Sequence, residues 1–258
     1  MYDQISIAGI QADLVWENID QNLIKFDQLI DQITDGVDII LLPEMFTTGF
    51  SMEPASLGEK MNGKTVTWML KKAKEKRAVI CGSIIIEQEG KYFNRLLWVK
   101  PDGKIEQYNK RHLFRLANEQ KEYEAGKERK IVDYKGWKFL LNICYDLRFP
   151  VWSRNQKDYD VLIFLANWPA LRNHAWQTLL IARAIENQAY CLGINRIGKD
   201  GKGMDHIGNS AIIDYTGKSL VEKQNKEAII KYTFEKKDLL EFRQKYPFFM
   251  DADQFEIK

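Results

Sequence analysis

The chain has 258 residues, 45% of them hydrophobic and 29% charged, with 38 lysines and arginines against 36 aspartates and glutamates and a formal charge of +2. Such a composition is ordinary for a soluble globular protein with a sizeable core, in one large domain or two small ones. The balanced charge excludes nucleic acid and anionic membrane as expected partners, and lysines interleaved with glutamates (KKAKEKR, EKKDLLEFR) read as solvated faces.

At the amino terminus, MYDQISIAGIQADLVW places an early aspartate where a secretory signal needs basic residues and a long apolar core, so no signal peptide is expected. Residues 5–10 (ISIAGI) are a β-branched strand candidate. Asn18 can cap a helix running to about residue 33, whose Ile19, Leu23, Phe26, Leu29, Ile30 and Ile33 keep the spacing of one buried face. Gly36 ends it, and residues 37–42 (VDIILL) read as a buried strand stopped by Pro43 and Glu44. This is a β-α-β unit with a carboxylate at the strand's carboxyl end.

After the loop FTTGFSMEPASLGEKMNG, a helix is expected near 65–76 and a strand at 79–86 that contains Cys81. Turns at EQEG and PDGK lead into strands at 92–99 and 105–108, which read as antiparallel neighbours. Asn109 and Lys110 open the stretch KRHLFRLANEQKEYEAGKER, too charged for a core element. Connections of that length tend to be functional or mobile.

A strand at 130–134 precedes the apolar run FLLNI at 139–143, which meets Cys144, Tyr145, Asp146, Leu147 and Arg148 abruptly. A short helix after Pro150 comes next, then a strand at 159–166 (YDVLIFLA) ending in Asn167, Trp168 and Pro169. A helix at about 174–187, strands at 189–195, 207–214 and 228–233, a turn at 215–217 and a helix at 235–245 complete the series. No repeat or linker interrupts it, no apolar run is long enough to span a bilayer, and one domain, 1–258, is expected. Mixed strands with intervening helices give a layered α/β or α+β sandwich.

Three strands share one form, IILLPE, LLNICYD and LIFLANW. If parallel neighbours, they would set Glu44, Cys144 and Trp168 along one rim, where open sheets carry their chemistry. A thiol reacts as the thiolate, so it needs a base or a cation beside it. Glu44 in an apolar setting can be that base, and Lys110 can stabilise a developing oxyanion. Each residue also has a plainer reading: a buried apolar cysteine, a solvated strand-end glutamate, a solvent-facing lysine. Asp146 and Arg148 read as an ion pair supporting the turn, and Trp168 as a pocket wall or a core tryptophan. Arg172 is either a fork for a substrate carboxylate or a surface arginine.

Cys81 and Cys191 sit inside strands as inert core thiols. With no CxxC pair, the three cysteines favour a reducing cytoplasm, and His112, His174 and His206 show no metal-ligand spacing. A Cys–His hydrolase using one of those histidines is a rival reading, and a catalytically silent binding domain is another. No GxGxxG follows the first strand, which removes a dinucleotide-binding oxidoreductase.

LLPEMF, NKRHLF and NICYDLRFP, in this order, resemble the motifs of the carbon–nitrogen hydrolase (nitrilase) superfamily. The flanks NKRHLFRLANE, CYDLRFPVWSRN, LANWPALRNHAW and ARAIENQAY are similar to its bacterial omega-amidase branch. The resemblance runs from the first strand through GNSAIIDYTGK, nearly the whole chain. It implies an α/β fold, a four-layered α-β-β-α sandwich with mixed sheets, and a Glu–Lys–Cys triad. Glu44 then matches the general base, Lys110 the oxyanion lysine and Cys144 the nucleophile. A second glutamate falls in EQKEYEAG, at Glu119 with Glu122 as competitor. Tyr145 is expected to contribute a backbone oxyanion donor. The implied substrate is a small-molecule amide, the terminal amide of a 2-oxo acid such as 2-oxoglutaramate. Glutathione-derived amides and N-carbamoyl compounds are used by cousins. The resemblance implies no metal or organic cofactor, and a homodimer or larger homo-oligomer that uses the helix at 174–187.

Overall fold

In the computed structural model, which describes residues 3–34, 36–222 and 224–257, the strands sort into two mixed sheets and a separate ribbon. The first half runs β1 (Gln4–Gln11), α1 (Ile19–Asp31), β2 (Ile39–Leu41), α2 (Pro54–Leu57), α3 (Lys64–Lys76), β3 (Val79–Gln88), β4 (Lys91–Val99), β5 (Ile105–Asn109) and α4 (Glu119–Glu122). The second runs β6 (Lys130–Tyr134), β7 (Trp137–Ile143), α5 (Pro150–Ser153), β8 (Val161–Ala166), α6 (Asn173–Asn187), β9 (Tyr190–Asn195) and β10 (Ile197–Lys199). It closes with β11 (Asp205–Ile207), β12 (Ala211–Ile213), β13 (Ala228–Glu235) and α7 (Lys236–Lys245).

Both sheets share one plan. β1, β2 and β3 are parallel neighbours, edged by antiparallel β13 on one side and the β4–β5 meander on the other. β7, β8 and β9 form a second parallel set, edged by antiparallel β6 and β12. Alternation along each strand explains the stacking. Ile5 and Ile7 of β1 and Ile39 and Leu41 of β2 pack with Phe139, Leu141 and Ile143 of β7 in one apolar layer between the sheets. Their neighbours in sequence turn the other way. Ala8, Ile10 and Ile40 meet Leu23 and Phe26 of α1 and Met69 of α3, while Leu140 and Phe164 meet Trp176 and Leu180 of α6. Burial on both faces is why these strands read as unbroken apolar runs. The layers are helix, sheet, sheet and helix, as expected.

Local signals hold where short-range chemistry decides. Asn18 Oδ1 accepts the Gln21 N–H at 3.1 Å and starts α1. The helix stops at Asp31, short of the expected residue 33, yet Ile33 still packs in the outer core.

Two expectations change. The strand expected at 207–214 divides into β11, which pairs with β10 in a ribbon outside both sheets, and β12, an edge of the second sheet. Gly208 (φ 68°) and Asn209 (φ 53°) lie between them, in left-handed conformations that interrupt a strand. The single rim is also wrong: β2 belongs to the first sheet, β7 and β8 to the second. The carboxyl ends still converge, because the sheets stack face to face. Asn167, just past β8, donates its backbone N–H to Glu44 Oε2 at 2.8 Å. No helix among the described residues is long and apolar enough to cross a membrane.

Candidate active site

Glu44 leaves β2 through Pro43, and Met45 after it adopts a left-handed φ of 42° that a non-glycine residue holds only under constraint. β3 supplies that constraint: the Met45 N–H donates to Ser83 Oγ at 2.8 Å and the Phe46 N–H to the Ser83 carbonyl at 3.1 Å. Glu44 is fully buried. Its Oε1 accepts from Lys110 Nζ at 2.9 Å and from Asn94 Nδ2 at 2.8 Å. Asn167 also grips it from the second sheet, giving its side-chain N–H to the Glu44 carbonyl at 2.5 Å.

Lys110 follows β5 directly, and its Nζ donates to both oxygens of Glu119, at 2.9 and 3.0 Å. Glu119 opens α4 and is fully buried, whereas Glu122, at the far end of that single turn, is exposed. The structure therefore brings Glu119, not Glu122, to Lys110. Burial would push the ammonium down, but the charges of Glu119 and Glu44 outweigh it and hold Lys110 well above its ordinary range. Burial pushes the Glu119 carboxyl up; Lys110 opposes this and the Glu44 charge adds to it. One cation thus sits between two carboxylates in a dry site, where each needs the other.

β7 delivers Cys144, whose φ of 42° starts a 3₁₀ turn running Cys144–Arg148. Asp146 fastens that turn. Its Oδ2 accepts from the Ile143 N–H at 2.9 Å and Tyr108 OH at 2.7 Å; Oδ1 accepts the His112 N–H at 3.0 Å and lies 2.8 Å from His112 Nδ1. The expected Asp146–Arg148 ion pair is absent among the described residues. Asp146 points into the protein, while the Arg148 guanidinium carbon lies 5.1 Å from the Trp168 ring centre, on the pocket side. His112 stacks on Phe149 with ring centres 3.8 Å apart, and His174 is exposed.

The Glu44 carboxylate lies near enough to the Cys144 thiol to act on its proton. Burial first, then the Glu44 charge, pushes it well above the usual thiol range, with Lys110 opposing. At rest the sulfur is held as a thiol beside Glu44. Burial also raises Cys81 and Cys191, both sealed in the core, as befits inert thiols.

Cys144 and Lys110 form part of a pocket of about 660 Å³ that is partly open to solvent. Tyr145 lines it, and as the second residue of a short turn its N–H belongs to the group that helices leave unpaired. Trp168 walls it while remaining 97% buried, so both readings of that residue apply: its Nε1–H donates to the Arg172 carbonyl at 2.8 Å and its ring lies 5.5 Å from Trp176. Arg172 also lines it, 5.1 Å above the Phe114 ring, and burial lowers its guanidinium. Among the described residues neither Arg148 nor Arg172 has an ion-pair partner, and both guanidiniums line the cavity, together with Lys202 and Asp200.

The ribbon adds Lys202, Met204 and His206 to the mouth. Gly201 packs directly on Trp16, where a Cβ would come within 2.3 Å of the indole nitrogen. His206 is buried and pushed down to about 4, first by burial and then by the Arg196 charge. Sequence reasoning missed Asn94, Phe114, the ribbon and the pocket side of Arg148. Asn167 was within reach, since it directly follows a buried strand as Glu44 and Cys144 do.

The carbon-nitrogen hydrolase family profile matches residues 6–244. The chain is 45% identical over 254 residues to the omega-amidase YafV of Escherichia coli K12, covering 98% of both. It is 32% identical over 251 residues to the 2-oxoglutaramate amidase of Bacillus subtilis, covering 95% of this chain and 96% of the relative. Among solved structures, XC1258 of Xanthomonas campestris, a CN-hydrolase superfamily protein with an arsenic adduct in its active site, superposes with a TM-score of 0.97 at 40% identity over 100% of both chains. With the family profile matching most of its length and these relatives covering nearly all of it, the chain belongs to the carbon-nitrogen hydrolase family.

Proposed function

We propose that this chain is an omega-amidase. It hydrolyses the terminal amide of a small 2-oxo dicarboxylic acid monoamide, 2-oxoglutaramate or 2-oxosuccinamate, to the acid and ammonia through a thioester on Cys144. The observation that carries the reading is a thiol beside the buried Glu44–Lys110–Glu119 cluster, in a pocket that two unpaired guanidiniums face. The names of the Escherichia coli and Bacillus subtilis relatives support the same substrate class.

The mechanism follows from the geometry. Glu44 accepts the thiol proton as Cys144 sulfur bonds to the amide carbon, so no standing thiolate is needed. Lys110 Nζ and the Tyr145 N–H hold the oxyanion. The carbon–nitrogen bond breaks, and ammonia leaves with the proton that Glu44 carried. Water then attacks the thioester, Glu44 takes its proton, and the thiolate leaves and is reprotonated. Glu119 keeps Lys110 charged and aimed. Arg172 and Arg148 hold the substrate carboxylate in bidentate fashion, and Trp168 closes the wall. No step calls on a metal or an organic cofactor. A cytoplasmic homodimer or larger homo-oligomer belongs to the same proposal.

Ammonia release is measured for 2-oxoglutaramate, 2-oxosuccinamate, glutamine, asparagine, N-carbamoyl amino acids, glutathione-derived amides and nitriles. Preferred turnover of the 2-oxo acid amides is expected. Turnover confined to nitriles or carbamoyl compounds contradicts the substrate while leaving the fold untouched. Replacing His206, the histidine that lines the pocket with Cys144, separates this scheme from a Cys–His hydrolase: ammonia release is expected to persist here and would vanish there.

A further inference from the structure

Phe114 touches three parts of the site that the mechanism uses separately. Its backbone N–H donates to Glu119 Oε2 at 2.5 Å, which ties it to the carboxylate holding Lys110. Its ring lies 5.1 Å from the Arg172 guanidinium carbon. The same ring packs edge-on against Tyr145, centres 5.0 Å apart at 66°. Both Phe114 and Arg172 line the pocket. An aromatic face attracts a guanidinium through the ring's quadrupole, and more strongly where water is partly excluded. Arg172 is half-buried and has no ion pair among the described residues, so this face is what orients a long, rotamer-rich side chain.

We infer that Phe114 is a positioning residue: its ring sets the Arg172 guanidinium where the substrate carboxylate is held, and its backbone bond to Glu119 fixes how far that carboxylate lies from the triad. The inference rests on the amidase reading above. It departs from a plain packing role in one consequence, because loss of the ring is then felt by anionic ligands and not by neutral ones.

Phe114→Leu and Phe114→Tyr test it in two measurements. With 2-oxoglutaramate, Phe114→Leu raises KM roughly fivefold and lowers kcat less than about twofold, since the backbone N–H to Glu119 remains. Phe114→Tyr keeps an aromatic face and returns KM to within about twofold of wild type. In alkylation of Cys144, sulfur displaces iodide from both iodoacetate and iodoacetamide, but only iodoacetate carries a carboxylate. Phe114→Leu slows iodoacetate roughly fivefold relative to iodoacetamide. If the leucine variant does not fold, Phe114→Met fills the same space without an aromatic face and carries the test. A fall in kcat with KM unmoved, or equal slowing of both reagents, overturns the inference. Wild-type protein that leaves 2-oxoglutaramate intact overturns the amidase reading, and the reagent ratio then still decides the role of Phe114.

Discussion

At the scale of single residues, the site is defined by what Glu44 does to two neighbours. Its charge joins that of Glu119 in keeping Lys110 protonated and adds to burial in keeping the Cys144 thiol protonated as well. Those effects pull in opposite directions for catalysis, and a base that removes the proton only during attack reconciles them. Glu44→Gln separates them. Without the carboxylate, the thiol loses a charge that raised it, so its alkylation by iodoacetamide shifts to lower pH. Amidase turnover nonetheless falls by about 10²-fold or more, because the general base is gone. Parallel pH profiles of alkylation and ammonia release check this; turnover that rises with thiolate content contradicts it.

Lys110 offers the complementary test. Lys110→Met leaves Glu44 and Glu119 facing each other in a dry site, at a cost of about 3–5 kcal/mol near neutral pH. The sign of the pH effect follows from Glu119, whose folded pKa is raised above its unfolded value even with the lysine present. A carboxyl raised in the native state holds more protons there than in the unfolded chain, so its contribution favours folding as pH falls. The deficit of Lys110→Met relative to wild type is therefore largest at pH 8 and shrinks toward pH 5. Urea midpoints at both values measure it, and a pH-independent deficit contradicts the buried like-charge pair.

At the scale of elements, the turn after β7 holds Cys144, the proposed nucleophile, in place because Asp146 is fully buried and takes hydrogen bonds from Tyr108, His112 and the Ile143 backbone. Asp146→Ala leaves those donors unpaired and releases a cysteine held at positive φ. Roughly 3 kcal/mol of stability and most turnover are expected to go. Denaturation midpoint and ammonia release read this out, and a variant with wild-type midpoint would show that the turn holds itself. This arrangement was legible only in part. Cys144 and Glu44 could be read because an apolar run stops abruptly at a reactive group. The partners of Asp146 could not, since Tyr108 and His112 lie 38 and 34 residues away and nothing local distinguishes them. The flanking Arg148 looked like the natural partner, but a 3₁₀ turn sends the two side chains to opposite sides.

The charged stretch after Lys110 gave a similar lesson. Its composition argued against burial, yet Lys110 and Glu119 are both fully buried because each neutralises the other. Charge counts along a sequence do not reveal such pairing.

At the scale of the whole molecule, the proposed base and the proposed nucleophile come from different sheets. Glu44 ends β2 and Cys144 ends β7, and the apolar layer containing Ile39, Leu41, Phe139 and Ile143 keeps the two strand ends in contact. Sequence reading supplied the strands and their carboxyl ends but could share a rim among three of them only on the condition that they were parallel neighbours, since periodicity reports a buried strand without reporting its neighbour. The two-sheet origin has a consequence. Any loosening of the layer separates Glu44 from Cys144 before secondary structure is lost. Leu41→Ala, which opens a cavity in that layer, is expected to cost about 2–5 kcal/mol. In urea, its amidase activity should vanish at or below the midpoint of its far-ultraviolet circular dichroism; activity that outlasts the sheets contradicts a site shared between them.

Every step of the proposed hydrolysis passes through the Cys144 sulfur. Ammonia release from 2-oxoglutaramate is compared for the wild type and Cys144→Ala at equal concentration, with circular dichroism showing that both are folded. Turnover is expected from the wild type and none above background from the variant. Release by folded Cys144→Ala at the wild-type rate would contradict the thioester mechanism.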